Sequence, residues 1–276
     1  MESILEVDNL KIDARKDDGS LTPIVKGVSF NVKPGEVVAL IGESGSGKTT
    51  IALSALGYTK PGLEFTSGEV RLQGQDVISM PSEEKRLMRG QKVAYLAQSA
   101  AATFNPAMTI GEQVTESAII HGQLLKEDAE NRAEELYRAL ELPEPDRLGK
   151  RYPHQVSGGQ LQRLMAAMAL CGNPDLLVLD EPTTALDVTT QIEVLKAFKS
   201  VIKQEGSSAI YVTHDLSVVA QIADEIVVLY AGEVQEHGSA EQVVSTPNHD
   251  YTRRLMNAVR PPPAASQGDN IAKSNN

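Results

Sequence analysis

Short apolar runs alternate along this chain with longer stretches of helical periodicity. Three of the runs, Val37–Ile41, Leu176–Leu179 and Ile226–Leu229, contain no polar residue, which is typical of strands buried on both faces. Two further runs, Val93–Ala97 and Ala209–Val212, also predict strands. Strands that alternate with helices indicate a mainly parallel sheet with right-handed crossovers, and therefore an α/β fold.

The N-terminal part of the chain has a different pattern. Ile4–Ile12 and Val25–Val32 predict two strands, and the polar stretch Arg15–Ser20 between them predicts a hairpin loop. We therefore expect an antiparallel β portion before the parallel core.

Helical periodicity replaces the strand pattern between residues 99 and 156. Ile110–Ile120 and Glu127–Leu140 predict helices, the second rich in strong helix formers. We interpret residues 99–156 as a helical subdomain inserted into a core made of residues 1–98 and 157–245. Residues 246–276 form a C-terminal extension, and its Pro-, Ser- and Asn-rich part, 261–276, is predicted to be disordered.

Composition excludes several classes of function. The net charge of −11 repels phosphate backbones, and the absence of Trp disfavours a stacking surface, so nucleic acid is not an expected partner. No window approaches the roughly 18 consecutive apolar residues of a membrane span, and the N-terminus lacks the pattern of a signal peptide. The single cysteine, Cys171, excludes an internal disulfide and fits a reducing compartment.

A phosphate-binding loop follows the apolar strand Val37–Ile41. The run Gly42–Thr49 matches the pattern G-x-x-x-x-G-K-[ST], with a predicted strand before it and a predicted helix after it. Its glycines let backbone N–H groups point at phosphates, Lys48 is expected to reach the β- and γ-phosphates, and the Thr49 hydroxyl is expected to ligate Mg²⁺. The candidate nucleotide-binding residues here are Gly42, Glu43, Ser44, Gly45, Ser46, Gly47, Lys48, Thr49 and Thr50.

Two carboxylates follow the strand Leu176–Leu179. A buried parallel strand that ends in Asp180-Glu181 places both at the carboxyl edge of the sheet, where α/β proteins bind ligands. Asp180 is suited to holding Mg²⁺, and Glu181 is suited to polarising the attacking water. An Asp-Glu pair alone could be an ordinary helix cap, but beside a phosphate loop it indicates an NTPase.

A second anion-binding segment begins the helix from Leu161 onward. Ser157, Gly158, Gly159 and Gln160 stand at its N-terminus, and Ser157 precedes Asp180 by 23 positions. Backbone N–H groups at such a position bind anions. A second anion site in one chain makes sense if it completes the γ-phosphate site of a neighbouring subunit.

At this point the sequence resembles the ABC ATPase family over nearly all of residues 3–250. Val156–Gln160 resembles the family signature, with Val in place of the usual Leu. The resemblance implies ATP and Mg²⁺ as ligands, and identifies Gln98 with the glutamine that senses Mg²⁺ and the transport partner. It also matches Ala185-Leu186-Asp187 with the family's D-loop, and His214 with the switch histidine, which in this family contacts the γ-phosphate. Taken alone, His214 would more often be a structural residue at a strand end.

The resemblance therefore implies a set of working residues. The expected catalytic residues are Lys48, Gln98, Glu181 and His214. The expected metal-binding residues are Thr49, Gln98 and Asp180. Asp187 and the segment Ser157–Gln160 are expected at the nucleotide.

Three segments resemble one branch of the family, the oligopeptide, dipeptide and nickel importers. They are Tyr152–Gln155, Asp187–Gln191 and Pro247–Arg253. The resemblance implies an importer for peptides or a related small solute, with transmembrane permease subunits, a second identical or homologous ATPase subunit, and indirectly an extracytoplasmic solute-binding protein. The chain is then expected at the cytoplasmic face of the inner membrane.

Two departures from that branch affect the ligand expectations. Members often hold an iron–sulfur cluster with several C-terminal cysteines, and a chain with Cys171 alone is not expected to hold one. The family also usually has an aromatic residue in the N-terminal strand that stacks on adenine, whereas the corresponding region here, Ile12–Arg15, has none. Adenine is then expected to be held by Arg15 or Val25, or to be held less selectively. The alternative function is a soluble ABC ATPase of a multi-enzyme complex, as in phosphonate cleavage.

Overall fold

The computed structural model describes residues 2–183 and 186–259, and its strands form two sheets. Strands in the described residues are β1 (Leu5–Arg15), β2 (Leu21–Val32), β3 (Val37–Ile41), β4 (Leu63–Leu72), β5 (Gln75–Asp76), β6 (Val93–Leu96), β7 (Leu176–Asp180), β8 (Ser208–Thr213), β9 (Glu225–Tyr230) and β10 (Glu233–Ser239). One sheet is antiparallel, in the order β2-β1-β4-β5. The other has the order β10-β9-β3-β8-β7-β6, in which only the β9–β10 pair is antiparallel.

The helices mostly follow the strands of the second sheet. Within the described ranges they are α1 (Lys48–Ser54), α2 (Ser82–Gln91), α3 (Ala100–Thr103), α4 (Ile110–Ile120), α5 (Lys126–Ala139), α6 (Pro145–Leu148), α7 (Gly158–Leu170), α8 (Val188–Glu205), α9 (Leu216–Ile222), α10 (Ala240–Ser245) and α11 (Asp250–Val259). Across the residues that the structure describes, no helix combines the length and apolar character needed to span a bilayer.

The core lies on both faces of the mainly parallel sheet. Side chains of β3 alternate between two apolar clusters, with Ala39 and Ile41 in one and Val38 and Leu40 in the other. The first cluster joins the sheet to the helices, and the second joins it to the antiparallel sheet and α1. Because apolar clusters cover both faces of the sheet, the centres of strands β3, β7 and β9 contain no polar residue.

The helical block predicted from the sequence forms α3, α4, α5 and α6. Helix α4 has the predicted bounds, and it starts with a capping box in which the Thr109 side chain accepts from Glu112 N–H and the Glu112 side chain accepts from Thr109 N–H. Helix α5 differs from its prediction by one residue at each end. Helix α7 packs against α4, α5 and α8, so it connects this block to the core.

Some elements were not predicted. Strands β4, β5 and β10 and helix α2 have no counterpart in the sequence interpretation, and β4 and β5 complete the antiparallel sheet. The stretch 261–276, predicted to be disordered, lies outside the described residues, as does Ala185.

Candidate functional site

Five parallel strands end at one edge of the second sheet, and the predicted site residues follow four of them. In the order β3-β8-β7-β6, the phosphate loop follows β3, His214 follows β8, Asp180 and Glu181 stand at the end of β7, and Gln98 follows β6 by two positions. Because the carboxyl ends of parallel strands share an edge, residues far apart in sequence meet here.

The phosphate loop has a backbone that requires glycine at two positions. Gly42 has φ 148°, and a Cβ there would stand 2.1 Å from the Leu229 carbonyl oxygen. Gly47 has φ 97° and immediately precedes helix α1. Both values lie in a region that residues with a Cβ rarely adopt, so the loop conformation follows from these glycines.

Lys48 is buried and lies across the loop. Its Nζ donates to the carbonyl oxygens of Gly42 and Glu43, at 2.8 Å each. Burial lowers the pKa of Lys48, and the carboxylates of Glu181 and Asp180 oppose that change. The two carbonyls and two carboxylates thus favour the ammonium form in a largely dehydrated position.

Asp180 is held on both of its oxygens. The Thr49 hydroxyl donates to Oδ1 at 2.9 Å, and the Tyr95 hydroxyl donates to Oδ2 at 3.0 Å. Burial, together with the Asp180 carboxylate, raises the pKa of Tyr95, so the phenol stays protonated and keeps donating. The predicted metal residues Thr49 and Asp180 are therefore adjacent, and their hard oxygens suit Mg²⁺.

Glu181 connects the other two predicted catalytic residues. His214 Nδ1 lies 2.8 Å from Glu181 Oε1, and Gln98 Nε2 donates to Glu181 Oε2 at 3.2 Å. The backbone of Glu181 has φ 48°, and its N–H donates to the Val212 carbonyl at 2.9 Å. A left-handed conformation at a non-glycine residue costs free energy, and strand β8 fixes it here through that hydrogen bond.

A cavity of about 620 Å³ is lined by the phosphate loop, Glu181 and His214, while Asp180 and Gln98 are not among its described lining residues. Its walls include the loop residues Ser44, Gly45, Gly47, Lys48, Thr49 and Thr50, with Glu181 and His214 opposite. Gly42 and Ser46 are buried behind the loop, and Glu43 is exposed. The remaining wall consists of Ile24, Lys60 and Leu63.

The expected adenine contacts of Arg15 and Val25 stay a prediction. Val25 is fully buried and packs behind Gly47, and Arg15 pairs with Glu64 at 2.7 Å. Neither residue lines the cavity. Ile24, Lys60 and Leu63 do. Strand alternation does not by itself say which face of a strand meets a ligand, so the sequence alone does not single out the neighbouring Ile24.

The second anion-binding segment lies apart from the cavity in the same chain. Ser157 caps helix α7: its Oγ accepts from Gln160 N–H at 3.3 Å, and Gln160 Oε1 accepts from Ser157 N–H at 2.9 Å. Gly158 lines a separate cavity of about 290 Å³ that also includes Gln98. The described lining of the phosphate-loop cavity does not include any residue of the segment Ser157–Gln160.

Asp187 also lies outside the walls of that cavity. It caps helix α8, with Oδ1 accepting from Thr190 N–H at 3.0 Å and Oδ2 from the Thr190 hydroxyl at 2.8 Å. These hydrogen bonds lower the pKa of Asp187. Its predicted contact with nucleotide stays a prediction.

The comparison with protein families decides the classification. Residues 25–184, more than half of the chain, match the family described as ABC transporter. The chain belongs to the ABC transporter family. It is an ATP-binding subunit that hydrolyses ATP, so the family, fold class and ATPase activity predicted from the sequence are confirmed.

Relatives of this ABC ATPase are similar over most of their length. The oligopeptide transport ATP-binding protein AppD of Bacillus subtilis is 40% identical over 260 residues, or 94% of this chain and 79% of AppD. The dipeptide transport ATP-binding protein DppD of the same organism is 38% identical over 260 residues, or 94% of this chain and 77% of DppD.

Solved ABC cassettes share the fold. The dimeric cassette MJ0796, in a post-hydrolysis state bound to ADP and Pi, has a TM-score of 0.73 and 29% identity, covering 86% of this chain and 98% of that one. The cassette cbiO1 from Clostridium perfringens, part of the transporter complex cbiONQ, has a TM-score of 0.74 and 26% identity, covering 89% and 92% respectively.

Tyr95 is a residue of this ABC ATPase that contacts the site and is not predicted from the sequence. It pairs with Val178 across β6 and β7, so it shares a face with Asp180, two residues further along β7. Because tyrosine is common in strands, its presence in β6 does not by itself predict a polar partner.

Proposed function

We propose that this chain is the ATPase subunit of a peptide importer, paired with an identical or homologous ATPase and coupled to transmembrane permease subunits at the cytoplasmic face of the inner membrane. The named relatives that transport oligopeptides and dipeptides support the cargo class. The branch-specific segments in the sequence support it independently.

One observation carries the proposal of pairing. The phosphate loop, Glu181 and His214 share a cavity, whereas the anion-binding N-terminus of α7 lies outside it. Two chains arranged head to tail would bring Ser157 and Gly159 of one to the nucleotide of the other. The Ser157 Oγ accepts a hydrogen bond within its own chain, so its O–H can donate to a phosphate oxygen of the partner's ATP.

The metal proposal rests on oxygen donors that lie together. Thr49 and Asp180 would hold Mg²⁺, and Gln98, whose amide hydrogen-bonds Glu181, is the further candidate. When bound, Mg²⁺ neutralises charge on the β- and γ-phosphates. Tyr95 keeps one Asp180 oxygen fixed, which orients the other toward Thr49.

Hydrolysis then follows from the positions of the chain's own groups. Lys48 and the backbone N–H groups of the loop hold the phosphates. They also place positive charge at the position from which the γ-phosphoryl group leaves. Glu181 accepts a proton from the attacking water, and His214 and Gln98 fix the direction of its carboxylate. Closing the pair around ATP and reopening it after hydrolysis would supply the motion that drives the permease.

A groove on the helical block offers a surface for the permease. This cavity of about 590 Å³ lies between α4, α5 and α6, near exposed Ile120 and Leu125, at 67% and 77% exposure. Its walls hold five carboxylates and two ammonium groups: Glu112, Glu116, Glu130, Glu134, Asp146, Lys126 and Lys150. An apolar patch with an acidic border suits a basic cytoplasmic segment of a permease.

Complementation between two variants tests the pairing. Lys48→Ala disables the phosphate loop and Ser157→Arg disables the opposing segment, so each variant alone should hydrolyse ATP at a small fraction of the wild-type rate. Mixed, they can form one complete site from the intact loop of one chain and the intact Ser157 of the other. Activity that fails to recover on mixing, or a wild-type rate per chain independent of protein concentration, would contradict head-to-tail pairing.

Co-purification from native membranes tests the transport assignment. We expect permease subunits to accompany the wild-type chain, and Leu125→Asp to reduce their recovery without changing ATP affinity. Glu69→Gln, on the exposed part of β4, is the matched surface control. Recovery of soluble enzymes in place of permeases would contradict the importer assignment.

A further inference from the structure

The first residues of the C-terminal extension wrap around one buried carboxylate. Glu236 on β10 is 8% exposed, and its oxygens accept from Asn248 N–H at 2.8 Å and His249 N–H at 3.0 Å. Burial alone would raise the pKa of Glu236, but these and further hydrogen bonds lower it, so the group stays charged near neutral pH. The hydrogen bonds to this charged carboxylate fix the point at which the C-terminal extension enters helix α11.

Helix α11 then brings Tyr251 to the phosphate loop. The Tyr251 hydroxyl accepts from the Glu43 N–H at 3.4 Å, and its ring packs on Tyr230 with centroids 4.7 Å apart. Tyr251 is 6% exposed. A residue more than 200 positions from the loop thus touches its backbone.

The loop is also held from a second direction. Gly232, in the turn between β9 and β10, donates its N–H to the Ser46 carbonyl at 3.2 Å. Tyr230, which packs on Tyr251, is the last residue of β9 before that turn. The turn and α11 therefore form one support behind the loop, with contacts at Glu43 and Ser46.

The peptide group between Gly42 and Glu43 is also where Lys48 is anchored. Its N–H, that of Glu43, donates to the Tyr251 hydroxyl, and its carbonyl, that of Gly42, accepts from Lys48 Nζ at 2.8 Å. Fixing this peptide fixes the position of the ammonium group. A loop ordered before the ligand arrives loses less conformational entropy on binding, so its affinity for phosphate is higher.

From this geometry we infer that Tyr251 is a positioning residue for the nucleotide site, and that the segment Pro247–Arg253 sets the affinity of the phosphate loop for ATP. The inference rests on the proposed role of Lys48 and its loop. It assigns a function within this chain to Pro247–Arg253, the C-terminal segment that resembles the importer branch.

Tyr251→Phe tests this by removing one oxygen and keeping the ring. We expect the full-length variant to bind ATP about threefold to tenfold more weakly, the range for one neutral hydrogen bond. The thermal unfolding midpoint should stay close to wild type. Hydrogen exchange of the loop amides around Glu43 should accelerate, which loss of remote packing would not produce.

Tyr230→Phe is the matched control, because it removes the same hydroxyl group from the other ring of the pair. The Tyr230 residue is 46% exposed. This variant should leave ATP affinity and loop exchange unchanged. Wild-type affinity in Tyr251→Phe, or an equal loss in both variants, would overturn the inference. Lys48→Ala separates the two proposals: if it too binds ATP normally, the assignment of the loop itself is wrong, whereas a loss confined to Lys48→Ala rejects only the role of Tyr251.

Discussion

Replacing Glu181 by Gln isolates the carboxylate that we assign as the base. The side chain has nearly the same size, and its amide oxygen can still accept from His214 Nδ1, now at 2.8 Å from Glu181 Oε1. Gln98 donates to the other oxygen, so its amide must turn over to accept from the new NH₂ group. Both hydrogen bonds survive, and little stability should be lost.

The effects on binding and on turnover should then separate. Burial lowers the pKa of Lys48 and the Glu181 carboxylate opposes that change, yet Glu181 also repels phosphate, so we expect the Kd for ATP to change by no more than about fivefold, or roughly 1 kcal/mol. Loss of a positioned base costs about 10² to 10⁴ in rate, or roughly 2.7 to 5.5 kcal/mol in activation free energy. The paired complex should accumulate, since ATP is bound and not cleaved.

The assay is turnover at saturating ATP in the assembled complex, with ATP affinity measured separately at equilibrium. Asp215→Asn is the matched control, since Asp215 follows His214 directly and its Oδ2 accepts from Gln191 Nε2 at 3.5 Å. We expect its turnover to stay within a few-fold of wild type. Normal hydrolysis by Glu181→Gln together with a collapse in Asp215→Asn would refute the assignment of roles along this edge.

Three further outcomes follow from the site. Lys48→Ala should weaken ATP binding at least about tenfold, because a charged donor is lost; isothermal titration measures it, and unchanged affinity would contradict the role of the loop. Tyr95→Phe should raise the Mg²⁺ concentration needed for half-maximal Mg-dependent ATP binding by about twofold to tenfold, with metal-free ATP binding unaffected; an equal change in both would exclude a metal-specific effect. ATP should be preferred over GTP by less than about a hundredfold, because the described cavity wall offers Ile24, Lys60 and Leu63 but no Phe, Tyr or Trp; a larger ratio in competition binding would show a missed adenine contact.

Strands β3, β7, β8 and β9 were predictable because burial on both faces leaves a continuous apolar run in each of them. Strand β4 was not, since four consecutive residues, Thr66–Glu69, are exposed, and Gly68, at φ 90°, leaves no room for a Cβ beside the Asn9 carbonyl. Helix α2 buries only Met88 and breaks at Arg89 and Gly90, so it presents no apolar stripe.

The site residues were predictable as types but not in all their contacts. Lys48, Thr49, Asp180 and Glu181 follow from local patterns, whereas the hydrogen bond from Gln98 to Glu181 depends on the order of strands in the sheet. The Tyr251 contact with the loop depends on how the C-terminal extension folds back, and no local pattern encodes that path.

The alternation of β3 side chains between two clusters limits how the molecule can be divided. One cluster runs without interruption from Ile110 and Leu136 in the helices to Ala39 and Ile41 in the sheet. Helices α4 and α5 pack against α7, so excising the helical block for crystallography or for transplantation between cassettes would expose the apolar face of α7 to water. The block is inserted in sequence but shares its apolar core with α7, and a chimaera should exchange it together with that helix.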